Sequence, residues 1–167
     1  MQPNRWSSAA TSGLILSLIT ILVMTTQYAF NSNNVGLNIV ITITKLIANI
    51  WLLSYLIKEY AKPVEIFTYK DGFTYGTIVC LFSSFICAVA SLVLMHLFAD
   101  SFNEQMETVI TAYSTVWPNV AEQMSDMLES GKMPLYISAV SFLYFYIFGV
   151  VVSLILANFT KKGNNIF

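Results

Sequence analysis

Four runs of about twenty or more predominantly apolar residues constrain this chain more than any other feature. A helix needs about 20 such residues, at about 1.5 Å each, to cross a hydrocarbon core of roughly 30 Å. The runs extend from about Ala10 to Phe30, Gly36 to Ile57, Tyr75 to Phe98 and Pro134 to Phe159. None alternates apolar and polar residues as a membrane β-barrel strand must. Only 10% of the 167 residues are charged, against about 25% in an ordinary soluble domain. So few charges cannot cover a surface that faces water. The pattern predicts an all-α membrane protein, a four-helix transmembrane bundle forming one integral membrane domain over residues 1–167. A net charge of −1 offers no basic surface for phosphates, so nucleic acid is not an expected partner.

Arg5 ahead of the first run imitates the charged region of a signal peptide. No small-x-small cleavage site follows closely, so a retained helix is expected. Lysine and arginine then set the orientation. Arg5 precedes the first span; Lys58, Lys62 and Lys70 lie between the second and third; Lys161 and Lys162 follow the fourth. The other two connections, Asn31 to Asn34 and the segment of about 100–132, hold Lys132 alone. With Lys45 inside the second span set aside, the division is six basic residues against one. Both termini and the second connection are expected in the cytoplasm. Trp6, Tyr60, Tyr69 and Tyr75 would then mark the inner headgroup level, and Tyr28, Tyr113 and Tyr136 the outer one.

The long outer segment carries Phe102, Met106, Val109, Ile110, Tyr113 and Trp117 at helical spacing, opposite Glu104, Glu107 and Thr111. After Pro118, Val120, Met124 and Leu128 oppose Glu122, Asp126 and Glu129. This predicts a periplasmic helix-turn-helix, its apolar face laid on the bundle or on lipid. A cap over the helix ends is the plain role, and a surface for a periplasmic partner the sharper one. Its carboxylates are spread along helices rather than gathered in a loop, so no metal site is expected. The inner connection, KEYAKPVEIFTYKDGFTYG, holds Lys58, Lys62 and Lys70 beside Glu59, Glu65 and Asp71. It reads as a solvated turn, or else as a docking site for a cytoplasmic enzyme or anionic headgroups.

The second span is the chemically informative one. Asn38, Thr42, Lys45 and Asn49 fall at helical spacing and form one polar stripe on an apolar helix. Lys45 lies near the middle of the run, where a charge costs a few kcal/mol, and none of the four runs holds an Asp or Glu to pair with it. It can snorkel or be neutral, it can bond Thr20, Ser84 or Tyr144 at similar depth, or it can hold an anionic ligand. Small residues form stripes on the other three spans: Ala9, Gly13 and Ser17; Gly76, Cys80, Ser84 and Ser91; Gly149, Ser153 and Ala157. Such stripes let helices approach closely in lipid. Cys80 and Cys87 belong to this packing and, about 10 Å apart along a helix, are too distant for a disulfide. His96 reads as an interfacial histidine. No nucleophile–base set, paired carboxylates, metal-spaced cluster or phosphate-cradling loop occurs, so neither enzyme activity nor a cofactor is expected.

The four spans, the lead-in YKDGFTYG (Tyr69 to Gly76) and the acidic helical segment after the third span resemble a family of small membrane proteins common in Bacteroidota, classed only as a domain of unknown function. The resemblance implies a bacterial inner membrane and supplies no catalytic residues. It further implies a genomic neighbour, a glycosyltransferase that uses a polyprenyl phosphate. The expectation is a non-enzymatic membrane subunit that anchors or regulates such a partner enzyme through Lys58, Lys62 and Lys70. The alternative is a small transporter or lipid or anion carrier, a homo-oligomer using the stripe of Asn38, Thr42, Lys45 and Asn49.

Overall fold

The computed structural model describes residues 4–30 and 35–161, apart from the side chains of residues 29, 30, 35, 37 and 38. Among the described residues there are six helices and no strand: α1 (Arg5–Phe30), α2 (Val35–Ala61), α3 (Tyr69–Leu97), α4 (Ala99–Ser114), α5 (Pro118–Glu129) and α6 (Met133–Thr160). Helices α1, α2, α3 and α6 are long and apolar enough to cross a membrane. The protein is a multi-pass membrane protein built as a helical bundle. The Asn31–Asn34 connection and Lys162 lie outside the described residues.

Helix α3 starts at Tyr69, six residues ahead of the apolar run that begins at Tyr75. Thr68 caps it: its hydroxyl accepts from the Asp71 backbone N–H at 3.2 Å, and the Asp71 carboxylate accepts from the Thr68 N–H at 3.2 Å. This reciprocal pair satisfies two orphan donors of the first turn and lets a polar turn join an apolar helix. At the other side of the connection α2 runs on to Ala61. Pro63 then ends it, lacking an N–H and pushing Lys62 out of the helical region.

Helix α3 is the most buried of the four spans, with α1 beside it and α6 against it. The small-residue stripes make these seams. A Cβ placed on Gly13 would sit 2.7 Å from Phe82 Cβ and 2.9 Å from the Val79 carbonyl oxygen. One on Gly149 would sit 2.6 Å from Cys80 Sγ, and one on Gly76 2.7 Å from Ser153 Oγ. Close approach matters here because lipid tails are as apolar as the helices, and association rests on contact and hydrogen bonds. Ser138 on α6 supplies one such bond, donating to the Ala88 carbonyl of α3 at 2.6 Å.

One end of the bundle is pinned by polar groups. Arg5 pairs with Asp71 at 3.1 Å, and the hydroxyls of Ser12 and Ser8 lie 2.8 and 3.1 Å from the Tyr75 hydroxyl. Tyr60 of α2 stacks on Tyr75 with ring centroids 3.9 Å apart. Gly72 faces Thr160, where an added Cβ would lie 3.1 Å from its Oγ1. The start of α1, the α2–α3 connection and the end of α6 therefore share one end, and Arg5, Lys58, Lys62, Lys70 and Lys161 gather there. The other end is closed by Met95, Phe102 and Met133, buried among Tyr28, Met106, Met124, Met127, Leu128 and Ile137. Only the base of the α4–α5 hairpin contributes. Tyr113, Val116, Trp117 and Val120 near its tip are exposed, so of the two placements the pattern allows, on the bundle or on lipid, this part of the apolar face does not take the bundle. Helices α4 and α5 pack mainly on each other.

Candidate functional site: a cleft beside helix α2

Helix α2 is the least buried span and meets α3 and α6 over few residues. The cause lies on α6. Toward α3 that helix presents Gly149, Ser153 and Ala157, which permit close contact; toward α2 it presents Tyr144, Phe145 and Phe148. The rings hold α2 away and leave a cleft of about 230 Å³. Its rim is formed by Thr42 and Leu46 on one side and Tyr144 and Phe148 on the other, all exposed. The cleft thus opens sideways, between two helices, toward the hydrocarbon.

Three of the four residues of the polar stripe, Thr42, Lys45 and Asn49, line this cleft. The side chain of Asn38 lies outside the described residues. Asn49 donates from Nδ2 to Thr20 Oγ1 at 3.0 Å, while its Oδ1 is buried and has no hydrogen-bond partner. Lys45 Nζ lies 5.9 Å from the centre of the Phe145 ring. Thr20, Ser84 and Tyr144, the partners its depth suggests, all line the cleft but bond elsewhere or not at all: Thr20 accepts from Asn49, Ser84 donates to the Leu81 carbonyl, and the Tyr144 ring stacks on Phe148. Among the described residues Lys45 has neither a hydrogen bond nor an ion pair. A desolvated cation–π contact returns about 2 kcal/mol, but it satisfies none of the three N–H donors of the ammonium. The ammonium is left short of compensation.

The lining is graded. Lys45, Asn49, Thr20 and Cys87 form a polar layer, and Leu16, Ile50, Leu53 and Val152 an apolar continuation toward the pinned end. Lys45 lies ten residues beyond Val35 and sixteen before Ala61, or about 15 and 24 Å from the two ends of its helix. The layer is therefore displaced from the middle of the span toward the α4–α5 end. Cys80 and Cys87 are buried free thiols on the cleft wall, consistent with packing. His96 is exposed at the end of α3, its Nδ1 2.8 Å from the Leu92 carbonyl. Among the described residues no group of three or more His, Cys, Asp or Glu is placed to hold a metal ion.

Lys58, Lys62 and Lys70 are all exposed at the pinned end. Lys62 is paired with Glu59, whose hydrogen bond and charge hold its ammonium pKa above the ordinary lysine value. The sequence stripe identified the α2 side of the cleft and depth brought in Tyr144 on α6; Phe145 and Phe148 of the same wall escaped notice because phenyl rings in an apolar run give no polar signal.

Residues 11–162 match the family described as "Protein of unknown function (DUF4199)". The chain belongs to this family. Its description assigns the DUF4199 domain no activity, and neither a curated protein nor a solved structure matches the chain.

Proposed function

We propose that the protein is a non-enzymatic membrane component that holds an amphiphile with an anionic head in the cleft between α2 and α6. One observation carries the proposal: an under-compensated lysine lines a cleft open to the hydrocarbon. An oxyanion beside Lys45 would supply the missing partner, and a chain would lie against Leu16, Leu53 and Val152. Burying that chain gains little over leaving it in lipid, because both surroundings are apolar. Selectivity would therefore come from the head. Carrying such a molecule across the bilayer would need a second opening at the Arg5 end, or a second copy of the chain to complete the path.

The test is a titration of the purified protein in mild detergent with a fluorescent long-chain fatty acid and with its phosphocholine counterpart. The anionic probe should saturate one site and bind about tenfold tighter, a difference of roughly 1.4 kcal/mol. Equal affinities, or uptake that never saturates, would remove the basis for a charged-head site.

We place the pinned end in the cytoplasm of a bacterial inner membrane, on the excess of basic residues gathered there. A membrane-impermeant thiol reagent, added to cells with a permeabilised outer membrane, should modify Ser125→Cys on α5 and spare Lys62→Cys. Labelling of Lys62→Cys from outside would reverse the orientation.

A second reading concerns the same end. Lys58, Lys62 and Lys70 are exposed beside Ile66, which is 70% exposed, and mixed basic and apolar surface suits a docked enzyme such as a glycosyltransferase. Changing the three lysines to glutamate should then release a co-purifying enzyme while the thermal transition stays put. If wild-type protein brings no enzyme out of native membranes, this reading is lost.

A further inference from the structure

The cleft has a direction as well as a composition. Its polar layer lies about 15 Å from the α4–α5 end of α2 and about 24 Å from the pinned end, and the apolar lining continues only toward the latter. Side chains on a helix tilt toward its N-terminus. The N-terminus of α2 is at the α4–α5 end, so the Lys45 ammonium reaches further that way. An amphiphile seated here would keep the orientation of a lipid in the leaflet on the α4–α5 side, head toward that surface and chain toward mid-membrane. A molecule from the opposite leaflet would have to invert.

Size narrows the occupant further. A cleft of about 230 Å³ is roughly half as large again as an apolar cavity that takes one benzene ring, about 150 Å³. On that scale it takes about nine or ten carbons of one chain, and the rest of the molecule stays in the lipid onto which the cleft opens.

Resting on the amphiphile reading above, we infer that the cleft takes one chain of an amphiphile with an oxyanion head from the leaflet on the α4–α5 side, its head at Lys45 and the first part of that chain toward Leu53 and Val152. Carboxylate and phosphate heads share this chemistry.

Photo-crosslinking of the full chain in nanodiscs separates the possibilities. Two palmitate probes are used, one with a diazirine next to the carboxylate and one with it about ten carbons along the chain, and the modified residues are located by peptide mass spectrometry. The head-end probe should mark the level of Lys45, Cys87 and Tyr144, and the mid-chain probe that of Leu53, Cys80 and Val152, about 12 Å away along α2. Excess palmitate or hexadecyl phosphate should abolish both, the stronger competitor naming the head. A reversed or identical labelling pattern overturns the inference and leaves the amphiphile reading standing. If excess palmitate protects no cleft residue, the amphiphile reading falls and the inference with it.

Discussion

Gly13→Leu should leave little folded protein in the membrane. At this position even the first side-chain carbon would lie 2.9 Å from the Val79 carbonyl oxygen and 2.7 Å from Phe82 Cβ. A backbone oxygen cannot rotate away, so α1 and α3 must separate. Separation would stretch the contacts of Ser8 and Ser12 with Tyr75 and the Arg5–Asp71 pair at the pinned end. Overpacking costs about 1–3 kcal/mol for a few added methylenes, and leucine adds more than that seam can absorb. Gly13→Ala should show the graded form, a lower melting temperature in detergent with the bundle still assembled. An unchanged melting temperature for Gly13→Leu would mean that α1 does not meet α3 along this line.

Lys45→Met should separate stability from binding. Methionine keeps length and apolar bulk but removes the charge, so the ligand-free protein should melt at the same temperature or higher. The reason is that the Phe145 ring satisfies none of the N–H donors that methionine removes. Affinity for an anionic amphiphile should fall about tenfold or more, roughly 1.4 kcal/mol. Lys45→Arg should keep part of it, because the charge survives while the compact ammonium does not. Identical affinities in the three proteins would show that the head does not sit at Lys45. A methionine variant that melts lower would show that the lysine is held by bonds the ligand-free protein already makes.

The spans were legible because hydrophobic length is a property of local sequence. Their exact limits were not. Tyr69 to Thr74 lie ahead of the apolar run yet belong to α3, where Thr68 and Asp71 cap each other, a local device that hydropathy ignores. The stripes of Gly13, Gly76 and Gly149 announced close seams, since small residues in apolar helices have few other uses. Which helix each would meet depends on bundle topology and could not be read. The polar stripe on α2 was visible by its spacing, and Thr42, Lys45 and Asn49 do share one cleft. That the cleft exists follows from Phe145 and Phe148 spacing α2 away from the core, a long-range consequence of ring size. The α4–α5 hairpin shows the opposite limit. Its periodicity gave the helices but not which part of the apolar face meets the bundle, and Trp117 and Val120 are exposed.

The central claim is that the space between α2 and α6 is a binding site rather than loose packing. A crystal structure from a lipidic phase, with the protein never stripped of native lipid, tests this most directly. One elongated density should enter between Leu46 and Phe148, end within hydrogen-bonding distance of Lys45 Nζ and run toward Leu53 and Val152. Helix α2 packed flush against α6, with Leu46 or Phe145 filling the space and no density beside Lys45, would contradict it.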